Sequence, residues 1–140
     1  MAQIDKKRIL DKVRVIQDCL FKLDVLSRLS LDEFTSDFKN FDSAKYNLQI
    51  AIEAMIDIGN HIISRKELGT PKTYRDTFEV LHKGKVIPKE DATTYKLMAR
   101  FRNRIVHFYD DVDDKEVYNI LQNNLGDFNS FIDHVSKLLN

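Results

Sequence analysis

The sequence predicts an all-α fold, an up-and-down bundle of about five helices in a single domain. Three observations carry this. Apolar residues recur at spacings of three and four along most of the chain, the period of a helix with one buried face. Only two prolines and four glycines occur in 140 residues, which leaves few places to interrupt a helix. Strand signals are absent. A chain of this length can bury a core without disulfides or metals.

The elements follow in order. Ile9, Val13, Ile16, Leu20 and Leu23 form one apolar seam on a first helix from about Ile4 to Leu29. Cys19 lies beside that seam and reads as a small buried thiol rather than a nucleophile. Ser30-Leu31-Asp32-Glu33 is a capping box that opens a short helix through about Phe38. Asn40 to about Lys66 is a long helix that ends near Gly69, with Pro71 beyond it. Its apolar positions (Tyr46, Ile50, Ala54, Ile58, Ile62, with Leu48, Ile52, Met55 and Ile63) cover so wide a face that it reads as central, or as packed also on a second subunit. Gly59 inside it costs about 1 kcal/mol relative to alanine, which a close helix–helix approach would offset. A short helix spans about Thr73 to Leu81, and Pro88 opens the next with Glu90 and Asp91 suited to its dipole. After an acidic run at Asp110–Asp114, one last helix is expected from Lys115 to about Leu139, kinked or loosened at Gly126.

Charge and cysteine usage narrow the function classes. Twenty-two basic and 22 acidic residues cancel, so a general basic coat for nucleic acid is excluded and any RNA contact must be local. The single cysteine excludes an internal disulfide framework and suits a reducing compartment. No apolar run approaches the roughly 20 residues that span a bilayer, and Met1-Ala2-Gln3-Ile4-Asp5-Lys6 lacks the apolar stretch of a secretory signal. A cytoplasmic protein with no membrane partner is the expectation.

The chemistry concentrates in Arg102-Asn103-Arg104-Ile105-Val106-His107-Phe108-Tyr109. At about 100° per residue, Leu97, Met98, Phe101, Ile105 and Phe108 share one side and read as a core stripe. Arg102, Asn103, His107 and Tyr109 share the other. An imidazole with an unperturbed pKa of about 6.5 can move a proton near neutrality, and a guanidinium fork matches phosphate oxygens without titrating. Turning an RNA 2′-hydroxyl on its neighbouring phosphate needs those two groups and no metal. Asn103, four residues before His107, could orient the imidazole or the phosphate. Lys96, Arg100, Arg102 and Arg104 stand with no acidic residue from Ala92 to Tyr109, a local phosphate-binding patch on the sequence's evidence. His61, His82 and His134 show no zinc-ligand spacing, and no Gly-rich phosphate loop occurs.

The pattern Arg102-x4-His107-x-Tyr109, with polar Asn103 after the arginine, resembles the signature of the HEPN superfamily, most closely its HepT toxin branch. The run Ala54–Ile63 and the helical pattern of the whole chain resemble that family too. The resemblance implies a HEPN-like bundle acting as a homodimer. It implies the toxin of a type VII toxin–antitoxin pair, a metal-independent endoribonuclease without cofactor, cutting tRNA or mRNA through Arg102 and His107. It also implies that Tyr109 is AMPylated by a minimal nucleotidyltransferase antitoxin of the MntA type. Arg100 fits a looser Arg-x6-His spacing known in the superfamily, and Asp57 and His61 resemble polar residues that the preceding long helix turns toward the site. A different class of function stands as the alternative: a non-catalytic helical module that docks such a nucleotidyltransferase, motivated by the neutral charge and the broad apolar face of the long helix.

Overall fold

The computed structural model describes residues 3–140, so part of the N-terminal segment read above for a secretory signal lies outside the described residues. Seven α-helices follow one another: α1 (Lys6–Ser27), α2 (Leu31–Ser36), α3 (Phe38–Lys66), α4 (Tyr74–Lys83), α5 (Lys89–His107), α6 (Asp114–Asn123) and α7 (Gly126–Leu139). A single 3₁₀ turn, Tyr109–Asp111, links α5 to α6, and no strand occurs among the described residues. No helix among them is long and apolar enough to cross a membrane.

The long helix α3 is the axis of the bundle. Lys12 of α1 pairs with Asp57, and the N–H of Asp5, just before α1, reaches His61, so α1 runs antiparallel to α3. Arg102 meets Glu53 and Tyr109 meets Asp42, so α5 runs antiparallel to it as well. Lys96 pairs with Glu79 and Arg102 stacks on Tyr74, which sets α4 antiparallel to α5. The seam of α1 is Ile9, Val13, Ile16, Cys19 and Leu23, all buried, and burial pushes the Cys19 thiol pKa up, as an inert thiol requires. The wide apolar face expected of α3 is buried on several sides, although Tyr46, expected within it, is exposed.

Local signals act as the sequence suggests at most helix ends. Ser30 Oγ accepts from the Glu33 N–H at 3.1 Å while the Glu33 carboxylate accepts from the Ser30 N–H at 2.9 Å, a complete capping box. Thr73 caps α4 and Asp113 caps α6. The end of α3 differs slightly from expectation: Glu67 closes the helix in the left-handed conformation, at φ 55°, two residues before Gly69, which itself has φ 149°. The Glu67 N–H still reaches the carbonyls of the last turn, which offsets the strain of a side chain there.

The largest departure is at the C-terminus, where the single helix expected from Lys115 is two. Asn123 and Asn124 are weak helix formers, and α6 ends on them with the Asn124 N–H bonded to the Ile120 carbonyl. The bend lets Val117 and Leu121 enter the core from one direction and Phe128, Phe131 and Val135 from another. The break makes seven helices of the six read in order from the sequence, the short α2 among them, against a bundle of about five.

Gly59 is where α4 crosses α3. A Cβ built on it would lie 2.7 Å from Thr77 Cγ2 and 3.1 Å from Leu81 Cδ1, closer than packed carbons come. Next to it, Thr77 Oγ1 donates to Asn60 Oδ1 at 2.8 Å and fixes the crossing. Gly59→Val is expected to destabilise the protein by about 1–3 kcal/mol, the usual cost of overpacking. A lower urea midpoint at unchanged slope is the readout; an unchanged midpoint would mean that α4 shifts freely on α3.

Candidate functional site

Helix α5 is turned differently from its hydropathy. Ala92, Tyr95, Ala99, Phe101 and Ile105 are buried, whereas Leu97 is 59% and Phe108 62% exposed and Met98 only partly covered. The buried arc is rotated roughly a quarter turn from the expected stripe, toward the side that carries Arg102. Two alanines make this possible, since small side chains let α5 lie close against its neighbours. The rotation half-buries Arg102 and places it against α3 and α4.

There the guanidinium is held from three directions. Its Nε donates to Glu53 Oε2 at 2.8 Å, with Nη2 also 2.8 Å from that oxygen. Nη1 donates to Asn103 Oδ1 at 3.1 Å, and the guanidinium carbon lies 4.8 Å from the centre of the Tyr74 ring. With a side chain only 15% exposed, Arg102 has little conformational freedom left, yet its remaining N–H groups have no protein partner among the described residues. Asn103 is thus bonded to the arginine, and no hydrogen bond joins it to His107 among the described residues. The Glu53 carboxylate also accepts from Gln49 Nε2 at 3.1 Å, which fixes it in turn.

An open cavity of about 560 Å³ lies beside this group, lined by Asn60, Pro71, Lys72, Thr73, Tyr74, Thr77, Arg102, Asn103, Val106 and His107. That is room for a nucleotide rather than for water alone. His107 is the last residue of α5 and stands exposed at the rim, with no hydrogen bond or ion pair among the described residues. The structure thus brings Arg102, Asn103 and His107 to one cavity. Asp57 lines a smaller adjoining hollow with Glu53, Tyr74 and Arg102, while its carboxylate is engaged by Lys12 Nζ at 3.0 Å.

Two expected members lie elsewhere. His61 is 8% exposed and its Nε2 accepts the Asp5 N–H at 2.9 Å, tying the start of α1 to α3. Burial, with Arg65 and Arg8 nearby, pushes its pKa down and keeps the imidazole neutral, as an acceptor must be. Its neighbour Asn60 faces the cavity instead. Arg100 lines a separate apolar groove with Leu48, Leu97, Met98, Phe101 and Phe128.

The basic patch is also altered by the fold. Lys96 pairs with Glu79, Arg102 with Glu53, and Arg104 makes a two-pronged pair with Glu116 at 2.7 and 2.9 Å. Of the four cations, only Arg100 lacks an acidic partner among the described residues. The acids come from α3, α4 and α6, so three of the four cations in a stretch free of acids in sequence are paired in space.

Tyr109 is not on the face of α5. The helix ends at His107, Phe108 leaves it at φ −138°, and Tyr109 begins the 3₁₀ turn. Its hydroxyl donates to Asp42 Oδ1 on α3, and the Lys45 ammonium lies 4.4 Å from the centre of its ring. Burial and the bond to Asp42 push the Tyr109 phenol well above its ordinary range. Sequence reasoning missed Glu53, Tyr74, Lys72, Asp42 and Lys45, and reached Asn60 only as part of the run Ala54–Ile63. The one visible signal was an acid, Glu53, inside an otherwise apolar run of α3.

Known proteins resemble this chain in sequence and in fold. An mRNA nuclease HepT from Shewanella oneidensis is 34% identical over 125 residues, spanning 89% of this chain and 93% of its own. A tRNA nuclease HepT from Aphanizomenon flos-aquae is 28% identical over 139 residues, spanning 99% of this chain and 95% of its own. The tri-AMPylated HEPN toxin of Shewanella oneidensis, solved in complex with an MNT antitoxin, superposes with a TM-score of 0.87 at 33% identity, over 93% of this chain and 97% of that one. The HepT-like ribonuclease family matches residues 9–135, which takes in every helix that builds the cavity around Arg102 and His107. By its sequence, its fold and the motif at the end of α5, this chain belongs to the HepT-like ribonuclease family.

Proposed function

We propose that the protein is the toxin of a type VII toxin–antitoxin pair, an endoribonuclease that cuts RNA without metal and is silenced by AMP transfer to Tyr109. The observation that carries the catalytic half is one cavity that holds a fixed guanidinium and an imidazole, the first incompletely bonded and the second unpartnered among the described residues. His107 takes the proton of the 2′-hydroxyl as that oxygen attacks the adjacent phosphorus. Arg102, held by Glu53, Asn103 and Tyr74, presents its remaining N–H groups to the phosphorane-like transition state without reorganising. Lys72 at the wall of the cavity supplies a further positive charge for the RNA backbone.

A homodimer suits this chemistry. Leu97 is exposed in the apolar groove along α5, and Phe108 is exposed just past the end of that helix, which supports a second copy of the chain seated on α5. Two copies of His107 near a two-fold axis would divide the roles of base and acid. The silencing half is supported by the solved relative, which is AMPylated and bound to its MNT antitoxin. A phosphodiester on Tyr109, two residues from His107, adds negative charge that competes with RNA for Arg102. This reading makes the partner a minimal nucleotidyltransferase and the substrate a tRNA or an mRNA, the two classes named for the relatives. The site also favours catalysis over a pure docking module, since docking does not need a clamped arginine opening into a cavity.

The test is cleavage of tRNA and mRNA by the purified protein in excess chelator. Cutting at an undiminished rate is expected, with 2′,3′-cyclic phosphate ends. Loss of cutting in chelator, restored by a divalent ion, would overturn the metal-free reading, and no cutting of either RNA under any condition would leave the docking module.

A further inference from the structure

The hydroxyl offered to the nucleotidyltransferase is already engaged within the chain. Tyr109 Oη donates to Asp42 Oδ1, and the Asp42 side chain is half-buried in the second turn of α3. One turn further on, Lys45 holds its ammonium 4.4 Å from the Tyr109 ring centre, 5.6 Å from that of Phe41 and 3.7 Å from Asp114 Oδ1. Lys45 is only 5% exposed, and these partners offset the cost of burying its ammonium. The charged groups that face Tyr109 are thus Asp42 and Lys45 of α3, Asp110 of its own turn and Asp114 of α6.

A phenol is a weak nucleophile until its proton leaves. This one holds its proton more tightly than usual, so little free phenolate exists near neutrality. The proton must then depart during attack, and the acceptor already bonded to it is a carboxylate. We propose that Asp42 is the general base for adenylyl transfer to Tyr109, with Lys45 stabilising the charge that develops on the phenol, so the modified chain supplies the acid–base group. This rests on Tyr109 being the AMP acceptor. In the step, Tyr109 Oη bonds to the α-phosphorus of ATP held by the transferase. The bond from that phosphorus to the bridging oxygen breaks, pyrophosphate leaves, and the phenolic proton passes to Asp42. Once Asp42 has given this proton to water, its carboxylate faces a phosphodiester of like charge and the hydrogen bond is gone. The modified ring then leaves α3.

A structural tether would need only an oxygen acceptor at position 42, and a general base needs one that can take a proton. Asp42→Asn keeps the first and removes the second. The experiment measures single-turnover AMP transfer from α-labelled ATP to the full-length chain by its paired nucleotidyltransferase, with thermal melts of every variant. Asp42→Asn is expected to slow transfer by about 10²–10³-fold with the KM for ATP little changed. Its rate should rise about tenfold per pH unit above pH 7, as hydroxide replaces the missing base, while the wild type stays nearly flat. Asp42→Glu should recover part of the rate, and Asp42→Ser gives the same pH readout should the asparagine variant melt early. Wild-type transfer rates with a flat profile in Asp42→Asn and Asp42→Ser would overturn the assignment of Asp42 alone. Failure of a different kind, with no label on the wild type or equal label on Tyr109→Phe, would overturn the reading of Tyr109 as acceptor.

Discussion

Replacing His107 with alanine is expected to slow RNA cleavage by about 10²–10⁴-fold, the usual worth of a positioned acid–base group. The fold should not notice, because His107 is exposed and makes no hydrogen bond or ion pair among the described residues. Its melting midpoint should match the wild type, as for surface changes away from special features, which stay within about 0.5 kcal/mol. Arg102→Ala is expected to lose about 10²–10³-fold, the loss seen when one fixed donor to a developing oxyanion is removed. It should also cost some stability, since Glu53 would keep a half-buried charge without its partner. Arg102→Lys should restore little, for an ammonium cannot bond Glu53 and Asn103 and still offer a flat fork to phosphate. Initial rates on a defined RNA, with melts alongside, decide the matter. Cleavage at wild-type rates in both His107→Ala and Arg102→Ala would remove the cavity from the reaction.

The largest effect on stability is expected at Phe131. Its ring meets Phe78 edge-on at 6.1 Å and 87°, and Tyr95 at 5.3 Å and 90°. The three rings join α7 to α4 and α5, and Tyr95 completes the cluster with a 2.5 Å hydrogen bond to Ser130 Oγ. Burial and nearby carboxylates push the Tyr95 phenol up to about 12, so it stays a neutral partner at any working pH. Phe131→Ala deletes a ring that is 1% exposed, and a deletion of that size costs about 3–5 kcal/mol. Cleavage should fall in step with the folded fraction, because α5 depends on this anchor to present Arg102. Chemical denaturation gives the number; a cost below about 1 kcal/mol would mean that the neighbours refill the space.

Much of the site could be read from the chain before any packing was known. Arg102, Asn103 and His107 lie within six residues of one helix, so helical geometry alone brings them near each other. The closeness of α4 to α3 was also legible, because a glycine inside a long apolar helix has a cost that only close approach offsets. Tyr109 was harder. Extending the helical period past His107 put it on the same face, but the backbone leaves the helix at Phe108 and carries the ring to α3. The core stripe of α5 held at Phe101 and Ile105 and failed at Leu97 and Phe108, for another reason. Hydropathy favoured Leu97, Met98 and Phe108, whereas close packing favoured the small Ala92 and Ala99.

By itself, the sequence determined the helical class, most helix ends, the family motif and the three residues that share the end of α5. These depend on neighbours within a turn or two, where spacing and capping act without help. Only the tertiary structure decided which charges are free. Glu53, Glu79 and Glu116 lie 49, 17 and 12 residues from the cations they pair with, and Asp42 lies 67 from the hydroxyl it accepts. Coulomb attraction and hydrogen bonding act on distance in space, and that distance is set by which helix face turns inward.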